Sequence, residues 1–376
     1  MKSISTKNTF LLFVSFLFIQ ISALRAQEGD FTEIFRGAPD DATKYLENYI
    51  GPGMLSFSNG MAGGWYNTAK THKTLGLEIS FSMNVANMPQ SERLFTFNSN
   101  DYNLLQVEGV AAGVDTELPT LVGGPTSARL EVSKGQGYTY NGITYEYDPG
   151  NSIEPFDAPG GFDVEDVPFV GVPAPTLNLG IGLFKNTDLK IRLIPEQNFD
   201  DYSVKLFGFG IMHDVKQWIP GIRQVPLDMS LFFGTTKLNS EFAFDGSGPD
   251  WRVENGLAQF EARATTFQAV VSKKLSFFTP YLGVGFNSVN TSFVVNGDYE
   301  LFTLVDQNNT ANFFRYQSVS GSDDPIRLDF TGGGGMRTTL GFRLKLLILT
   351  IHMDYTIQKY NTLTFGFGFT FRENKT

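Results

Sequence analysis

The sequence predicts an all-β fold, a transmembrane antiparallel β-barrel of about ten to fourteen strands with a short N-terminal helical segment. Three observations carry this expectation. Close to the C-terminus, Leu363 to Phe371 alternates large apolar with small or polar side chains, so that Phe365, Phe367, Phe369 and Phe371 form one aromatic row. Lipid accommodates such a row, and outer-membrane barrels are apolar outward, small or polar inward, and commonly finish on an aromatic strand. The N-terminus has Lys2 and Lys7 ahead of an apolar run from Phe10 to Ile21, then Ala23-Leu24-Arg25-Ala26-Gln27. That is the pattern of a secretory signal peptide. Finally, the 376 residues include 39 Gly, 36 Phe and no Cys. No stretch after residue 21 is long and apolar enough for a membrane helix, which leaves strands in a closed barrel as the way to cross lipid with every backbone group paired.

The chain divides accordingly into a signal peptide over 1–26, an N-terminal segment over 27–74 with a short helix and a possible hatch, and an outer-membrane barrel over 75–376. In the N-terminal segment, residues 38–60 do not alternate, and Pro39-Asp40-Asp41-Ala42 places acidic residues in a first helical turn. Tyr45, Leu46, Tyr49 and Ile50 share one side, and Gly51-Pro52-Gly53 is read as the helix end. Such a helix would plug the barrel from the periplasmic side or rest beneath it.

Strands follow by period-two alternation. The first has Leu75, Leu77, Ile79, Phe81, Met83 and Val85 on one face, and the second Leu177, Leu179, Ile181 and Leu183. After the turn Lys185-Asn186-Thr187 comes Asp188 to Pro195, then Tyr202 to His213, where Phe207, Phe209 and Ile211 oppose Val204, Leu206 and Met212. Leu227 to Phe233, Ala258 to Lys273, Phe277 to Asn290, Met336 to Lys345, Leu347 to Ile357 and the terminal strand bring the number to ten. If the last strand ends in the periplasm, Lys185 to Thr187, Asp214 to Gln224, Lys274 to Ser276 and Lys345-Leu346 fall on that side. The long segments 87–175, 237–257 and 291–335 then all lie outside, the usual asymmetry of such barrels. Leu94 to Phe97, Ala128 to Val132 and Tyr138 to Tyr147 also have strand character and would add to the wall in pairs. Pro155, Pro159, Pro168, Pro173 and Pro175 mark 155–175 as loop, since proline is excluded from central strands.

Charge narrows the function classes. The chain carries −10, and loss of Lys2, Lys7 and Arg25 with the signal takes it to −13, which excludes nucleic acid as a partner. The inward rows, taken opposite the apolar ones, hold Glu78, Lys190, Arg192, Asp228, Glu261, Arg263, Arg337, Arg343, Lys345, His352 and Asp354. Mixed signs describe a charge network that fills a narrow interior. The sharper reading gives Arg337, Arg343 and Lys345 an anionic head group to guide, with His352, Asp354, Trp65, Tyr66 and Asn67 on the same substrate path. His352 and Asp354 share a face, but no Gly-x-Ser-x-Gly elbow accompanies them. No catalytic, metal or cofactor residues are assigned, and the chain is not read as an enzyme. Gly332 to Gly335 lacks the Lys-Ser/Thr of a phosphate loop and precedes a strand, so it reads as a loop end. Trp65, Tyr66, Trp218, Tyr281 and Tyr360 are interfacial or core aromatics.

Gly63-Gly64-Trp65-Tyr66-Asn67-Thr68-Ala69, Gly182-Leu183-Phe184-Lys185-Asn186-Thr187 and His213-Asp214-Val215-Lys216-Gln217-Trp218-Ile219-Pro220-Gly221 resemble an uncharacterised Bacteroidota family of exported outer-membrane barrels. The resemblance covers most of the mature chain and implies no activity. The chain is more weakly similar to the long-chain fatty-acid transporter (FadL-like) superfamily, in which a helical hatch carries an aromatic-Asn-Pro-Ala-Gly element. Here Trp65-Tyr66-Asn67-Thr68-Ala69-Lys70 has Thr for Pro and Lys for Gly, departures at the two residues that shape that hatch.

Two functions follow as expectations. One is passive transport or binding of a small hydrophobic or amphipathic molecule, motivated by the hatch and by loop aromatics such as Leu301-Phe302 and Phe313-Phe314. The alternative is a structural or interaction barrel of the outer membrane without transport. The partners expected are outer-membrane lipid and a small hydrophobic ligand.

Overall fold

The computed structural model describes residues 34, 39–132, 137–140, 143–146, 155–162, 171–199, 202–221, 224–247, 251–303, 315–318 and 326–373. The signal-peptide reading and Phe313-Phe314 lie outside these residues. Helix α1 (Pro39–Met61) leads through residues 62–71 into β1 (His72–Ala86). The chain then leaves the wall for β2 (Leu94–Phe97), β3 (Leu105–Val107), β4 (Thr116–Pro119), β5 (Arg129–Val132), β6 (Gly137–Tyr140), β7 (Ile143–Glu146) and β8 (Phe156–Asp157). The wall resumes with β9 (Val172–Leu183), β10 (Thr187–Phe199), β11 (Tyr202–Asp214), β12 (Asp228–Ser247), β13 (Trp251–Ser272) and β14 (Phe278–Thr303). After β15 (Arg315–Ser318) and β16 (Ile326–Thr331) it finishes with β17 (Gly335–Leu346), β18 (Leu349–Ile357) and β19 (Thr362–Glu373).

Each wall strand pairs antiparallel with the next, and β1 closes the ring against β19, with Ile79 opposite Phe369 and Phe81 opposite Phe367. The protein is thus an all-β transmembrane antiparallel barrel, and the ring has ten strands, β1, β9 to β14 and β17 to β19. Closure leaves no edge in hydrocarbon. Phe365, Phe367, Phe369 and Phe371 are exposed on the outer face, as are Leu77, Ile79, Phe207, Phe209, Leu231, Phe233, Leu282 and Val284.

The strand-like segments within 87–175 do not add to the wall. They pair among themselves, β2 with β4, β5 with both β3 and β8, and β6 with β7, and β2 to β5 and β8 form a separate cap at the end where β1 finishes. The expected loops at 237–257 and 291–335 are also largely strand, since β12 and β13 stay paired from Asp228↔Ser272 to Ser247↔Arg252 and β14 runs on to Thr303. Their alternation fades because lipid no longer selects apolar residues on the outer side.

Two further expectations are corrected. Pro173 and Pro175 lie in β9, opposite Val85 and Met83 of β1. On its other side β9 pairs with β10 only from Leu183↔Thr187 to Asn178↔Arg192, so both prolines sit on an edge that β10 leaves unpaired and no ladder bond is lost. Nor does α1 stop at Gly51-Pro52-Gly53; it continues through Pro52 to Met61. Gly51 lets it approach Phe330, where a Cβ would lie 2.8 Å from the ring.

The first half of α1 packs in the cap, with Tyr45, Leu46, Tyr49 and Ile50 against Phe97, Leu105, Leu118 and Phe330. Asp41 is buried there and its carboxylate accepts from the backbone N–H groups of Asn103, Leu104 and Leu105 (2.7–2.9 Å). The second half of α1 enters the barrel from this long-loop end.

Candidate functional site

Residues 54–71 run down the lumen antiparallel to β1. Ser56 donates to the carbonyl of Ala86 at the top (3.1 Å), Gly64 lies beside Ser82 and Asn84, and Asn67 donates to Glu78 (2.8 Å). At the bottom Ser230 donates to the carbonyl of Ala69 (2.6 Å), and the Ala69 N–H donates to Ser272 Oγ (3.0 Å). The helix therefore neither enters from the short-turn side nor rests beneath the barrel. It descends from the opposite end, and the chain behind it traverses the whole lumen.

The end of α1 decides how the plug is held. Its last turn tightens, Ala62 N–H to Asn59 and Gly63 N–H to Gly60, and leaves the carbonyls of Met61, Ala62 and Gly63 for other donors. Two wall arginines supply them. Arg192 donates to Met61 O (2.6 Å) and Gly63 O (2.8 Å), and Arg337 to Ala62 O (3.0 Å). Asn178 donates to Gly64 O (2.9 Å). Neither arginine forms an ion pair among the described residues; their charge faces the negative end of the helix dipole instead. The Arg192 guanidinium also lies 3.9 Å over the Trp65 ring, a cation–π contact strengthened by burial.

Below this clamp Trp65 and Tyr66 pack with Met212, Phe232, Val270 and Tyr281. The wall is thinned to admit them: a Cβ at Gly208, Gly210 or Gly234 would lie 3.0–3.2 Å from the Trp65 ring, and one at Gly283 only 2.2 Å from the Tyr66 hydroxyl. Trp65, Tyr66, Tyr281 and Tyr360 are thus buried, whereas Trp218 is exposed at the short-turn end and donates to His213 (2.7 Å).

Charges close the lower lumen. Lys190 pairs with Glu78 (3.0 Å), and His72 Nδ1 lies 2.8 Å from Asp188. Arg343 and Lys345 both reach Glu373 (2.6 and 2.7 Å), with Arg343 also at 3.4 Å from Asn67 Oδ1. Asp354 accepts from Tyr281 (2.8 Å), and His352 Nε2 lies 3.2 Å from Ser82 Oγ. Of the eight residues expected on a substrate path, Trp65, Tyr66 and Asn67 are plug residues, Arg337 and Arg343 donate to the plug, and Lys345, His352 and Asp354 contact Glu373, Ser82 and Tyr281 of the wall. Arg337, Trp65, Tyr66 and Asp354 border, with Gln268 and Thr339, a cavity of about 10 Å³, room for roughly one water.

Glu78, Lys190, Arg192, Arg337, Arg343, His352 and Asp354 are buried inward, as expected. Glu261 and Arg263 are not lumen residues. Alternation along β13 turns Ala262, Ala264 and Thr266 inward, and Glu261 joins Lys237 of the outer face (2.7 Å). The helix occupies the space that larger side chains would need, so the small row faces in. The residues that sequence reasoning passed over are these small ones, together with Asn178, Gln268 and Glu373. The glycines of β11 and β12 are the signal that could have revealed a bulky inner guest.

Above the clamp the lumen turns apolar. Met61 and Ala62 meet Ala174, Leu206, Leu238, Ala262, Ala264 and Val289, with Phe57, Ile194, Val204 and Phe260 partly buried alongside.

The profile of the family of unknown function DUF6588 matches residues 1–371. The chain belongs to that family. No curated protein matches it. Solved structures similar to it include Ail, the attachment invasion locus protein of Yersinia pestis, in complex with the heparin analogue sucrose octasulfate (8% identity, 79% of this chain and 99% of that one, TM-score 0.23). The translocator domain of the autotransporter NalP from Neisseria meningitidis matches at 10% identity over 80% of this chain and 90% of that one, TM-score 0.25. A double mutant of the Rh. blastica porin matches at 8% identity over 79% and 99%, TM-score 0.16. At these scores none informs the function of the DUF6588 chain, and its barrel stands on its own closed ladder.

Proposed function

We propose that this DUF6588 protein is an outer-membrane barrel that is closed to diffusion and acts at its long-loop end, as an interaction barrel bearing a folded cap. The observation that carries this reading is the plug, residues 54–71, which runs the length of the lumen and is bonded to the wall from Ser56 to Ala69. The cations expected to guide a substrate are engaged by plug carbonyls, Asn67 and Glu373, and the cavity beside Arg337 holds no more than about one water. The long-loop end faces the exterior in this reading, following the short-turn, long-loop asymmetry of such barrels. A signal-type N-terminus supports export to that membrane. In planar bilayers the purified protein is expected to give no steady conductance, and a stable open channel would overturn the reading.

A second reading, binding or passage of a small hydrophobic molecule, is favoured by the upper lumen. There the pairing of β9 with β10 ends at Asn178↔Arg192 although both strands continue, and apolar side chains including Ile194 and Val204 lie just inside. Saturable binding of a fluorescent alkyl probe, lost in Leu206→Asp, would support it; probe uptake by lipid alone, unchanged by the protein, would count against it.

A further inference from the structure

Gly182 to Thr187 and His213 to Gly221, two segments singled out in the sequence, lie outside the plug and its fastenings and meet at the short-turn rim. In the turn after β9, Lys185 and Asn186 have φ of 55° and 50°, the left-handed pair of a two-residue hairpin. The Asn186 carbonyl accepts from the Asp214 N–H (3.0 Å), the Lys185 carbonyl accepts from the Gln217 amide (2.9 Å), and Thr187 Oγ1 lies 2.8 Å from His213 Nδ1. The two turns are thereby one unit. His213 continues the outward row of Phe207, Phe209 and Ile211, so Trp218, which stacks on His213 and donates to it (2.7 Å), stands on the lipid side. Phe184 and Ile219 are exposed beside it.

Charge is distributed unevenly between the two ends of the barrel. Toward the long loops Lys44, Arg129, Lys205, Lys237, Arg327 and Lys359 each pair with a carboxylate. At the short-turn rim Lys73, Lys185, Lys273, Lys274 and Arg372 pair with none among the described residues, although the chain is acidic overall. Asn and Gly suit a left-handed hairpin turn and lysine does not, so the backbone does not call for a cation at Lys185. Asp214, the acid of this unit, accepts the backbone N–H of Lys216 (2.9 Å), and Lys216 Nζ donates to the Val225 carbonyl (2.6 Å).

We propose that these paired turns bind the head group of an anionic phospholipid in the bordering leaflet. Lys185 and Lys216 meet its phosphate, and Trp218 lies at the boundary between head group and acyl chain, where its amphipathic ring is favoured. The apolar side chains alone would accept any lipid; the unpaired lysines select the charge. The site requires a barrel embedded in a membrane and is independent of which compartment the cap faces.

The full chain is reconstituted in phosphatidylcholine vesicles that contain an equal fraction of either brominated phosphatidylglycerol or brominated phosphatidylcholine. Trp218 emission is read as the difference between the protein and its Trp218→Phe variant, and heat-modifiable mobility shows that each variant is folded. The anionic lipid should quench Trp218 as if about fivefold enriched there, the effect of one lysine beside an anionic surface. Lys185→Gln combined with Lys216→Gln should bring the two lipids level, while Lys44→Gln at the far end keeps the preference. Equal quenching of the unaltered protein by both lipids, a preference retained in the double variant, or Trp218 emission that neither lipid quenches would each overturn the proposal.

Discussion

Replacing Arg192 with methionine removes the strongest fastening of the plug while leaving side-chain volume in place. Arg192 donates to Met61 O, Gly63 O, Asn178 Oδ1 and Thr236 Oγ1 and stacks on Trp65. The two carbonyls lose their charged donor, at about 1–3 kcal/mol each, and the cation–π contact contributes about 2 kcal/mol when buried. Against this stands relief of the desolvation of a buried guanidinium, which makes apolar replacement of buried charge less costly than the lost contacts suggest. A net loss of about 3 kcal/mol remains, roughly two decades in the equilibrium between a seated and a released plug. The wall ladder on either side of Arg192 is backbone-bonded and unaffected. Hydrogen exchange read by mass spectrometry in nanodiscs should therefore accelerate about a hundredfold over residues 60–66 and stay unchanged in β1 and β19. Arg192→Lys keeps the charge without the fork and should fall between. Unchanged exchange at 60–66, or a uniform rise across the barrel, would refute the clamp.

Gly283→Ala should lower the thermal midpoint by driving a Cβ against the Tyr66 hydroxyl 2.2 Å away, a cost of about 1–3 kcal/mol, and Tyr66→Phe should recover part of it in the double variant. Glu373→Ala leaves Arg343 and Lys345 without their carboxylate and should destabilise by about 3 kcal/mol, seen as a lower temperature for loss of heat-modifiable mobility, whereas truncation after Glu373 should be tolerated. Outside the spanning strands, burial pushes Tyr45 and Tyr360 up well above the ordinary phenol value of 10.0 and Tyr102 up to about 12. A raised phenol favours the folded state below its unfolded pKa, and that contribution is lost as pH rises through the folded value. The cap should thus loosen above pH 10.0, with these three tyrosines ionising late in ultraviolet difference spectra while the wall keeps its circular dichroism.

The wall was readable because lipid on one side imposes strict alternation: the Phe365 to Phe371 row, Leu77 to Met83 and Leu177 to Ile181 identify their strands unaided. It failed where a second apolar environment lay inside. Leu206 and Met212 blurred the reading of β11 because Met61 and Trp65 press on them from the lumen. Pro173 and Pro175 disguised β9 because strand rules assume two paired edges. The plug itself was hidden by Gly51-Pro52-Gly53, which ordinarily ends a helix but here permits close packing on Phe330. Arg337, Arg343 and Lys345 were correctly placed inward, yet a row of cations on one face does not reveal that its partners are plug carbonyls, Asn67 and a carboxylate near the chain's end. Truncation after Phe371, which the terminal aromatic row alone would permit, removes that carboxylate.

The most direct test of the threaded lumen is a pair of disulfides, since the chain has no cysteine of its own. Ser58 and Thr291 hydroxyls lie 2.9 Å apart toward the long-loop end, and Thr68 and Ser272 hydroxyls 3.1 Å apart toward the short turns. Ser58→Cys with Thr291→Cys, and separately Thr68→Cys with Ser272→Cys, should each cross-link in the membrane under mild oxidation, read as a mobility shift reversed by reductant. A plug threaded through the lumen predicts both bridges. A bridge at Thr68 and Ser272 with none at Ser58 and Thr291 would contradict it, leaving a hatch that enters only from the short-turn side.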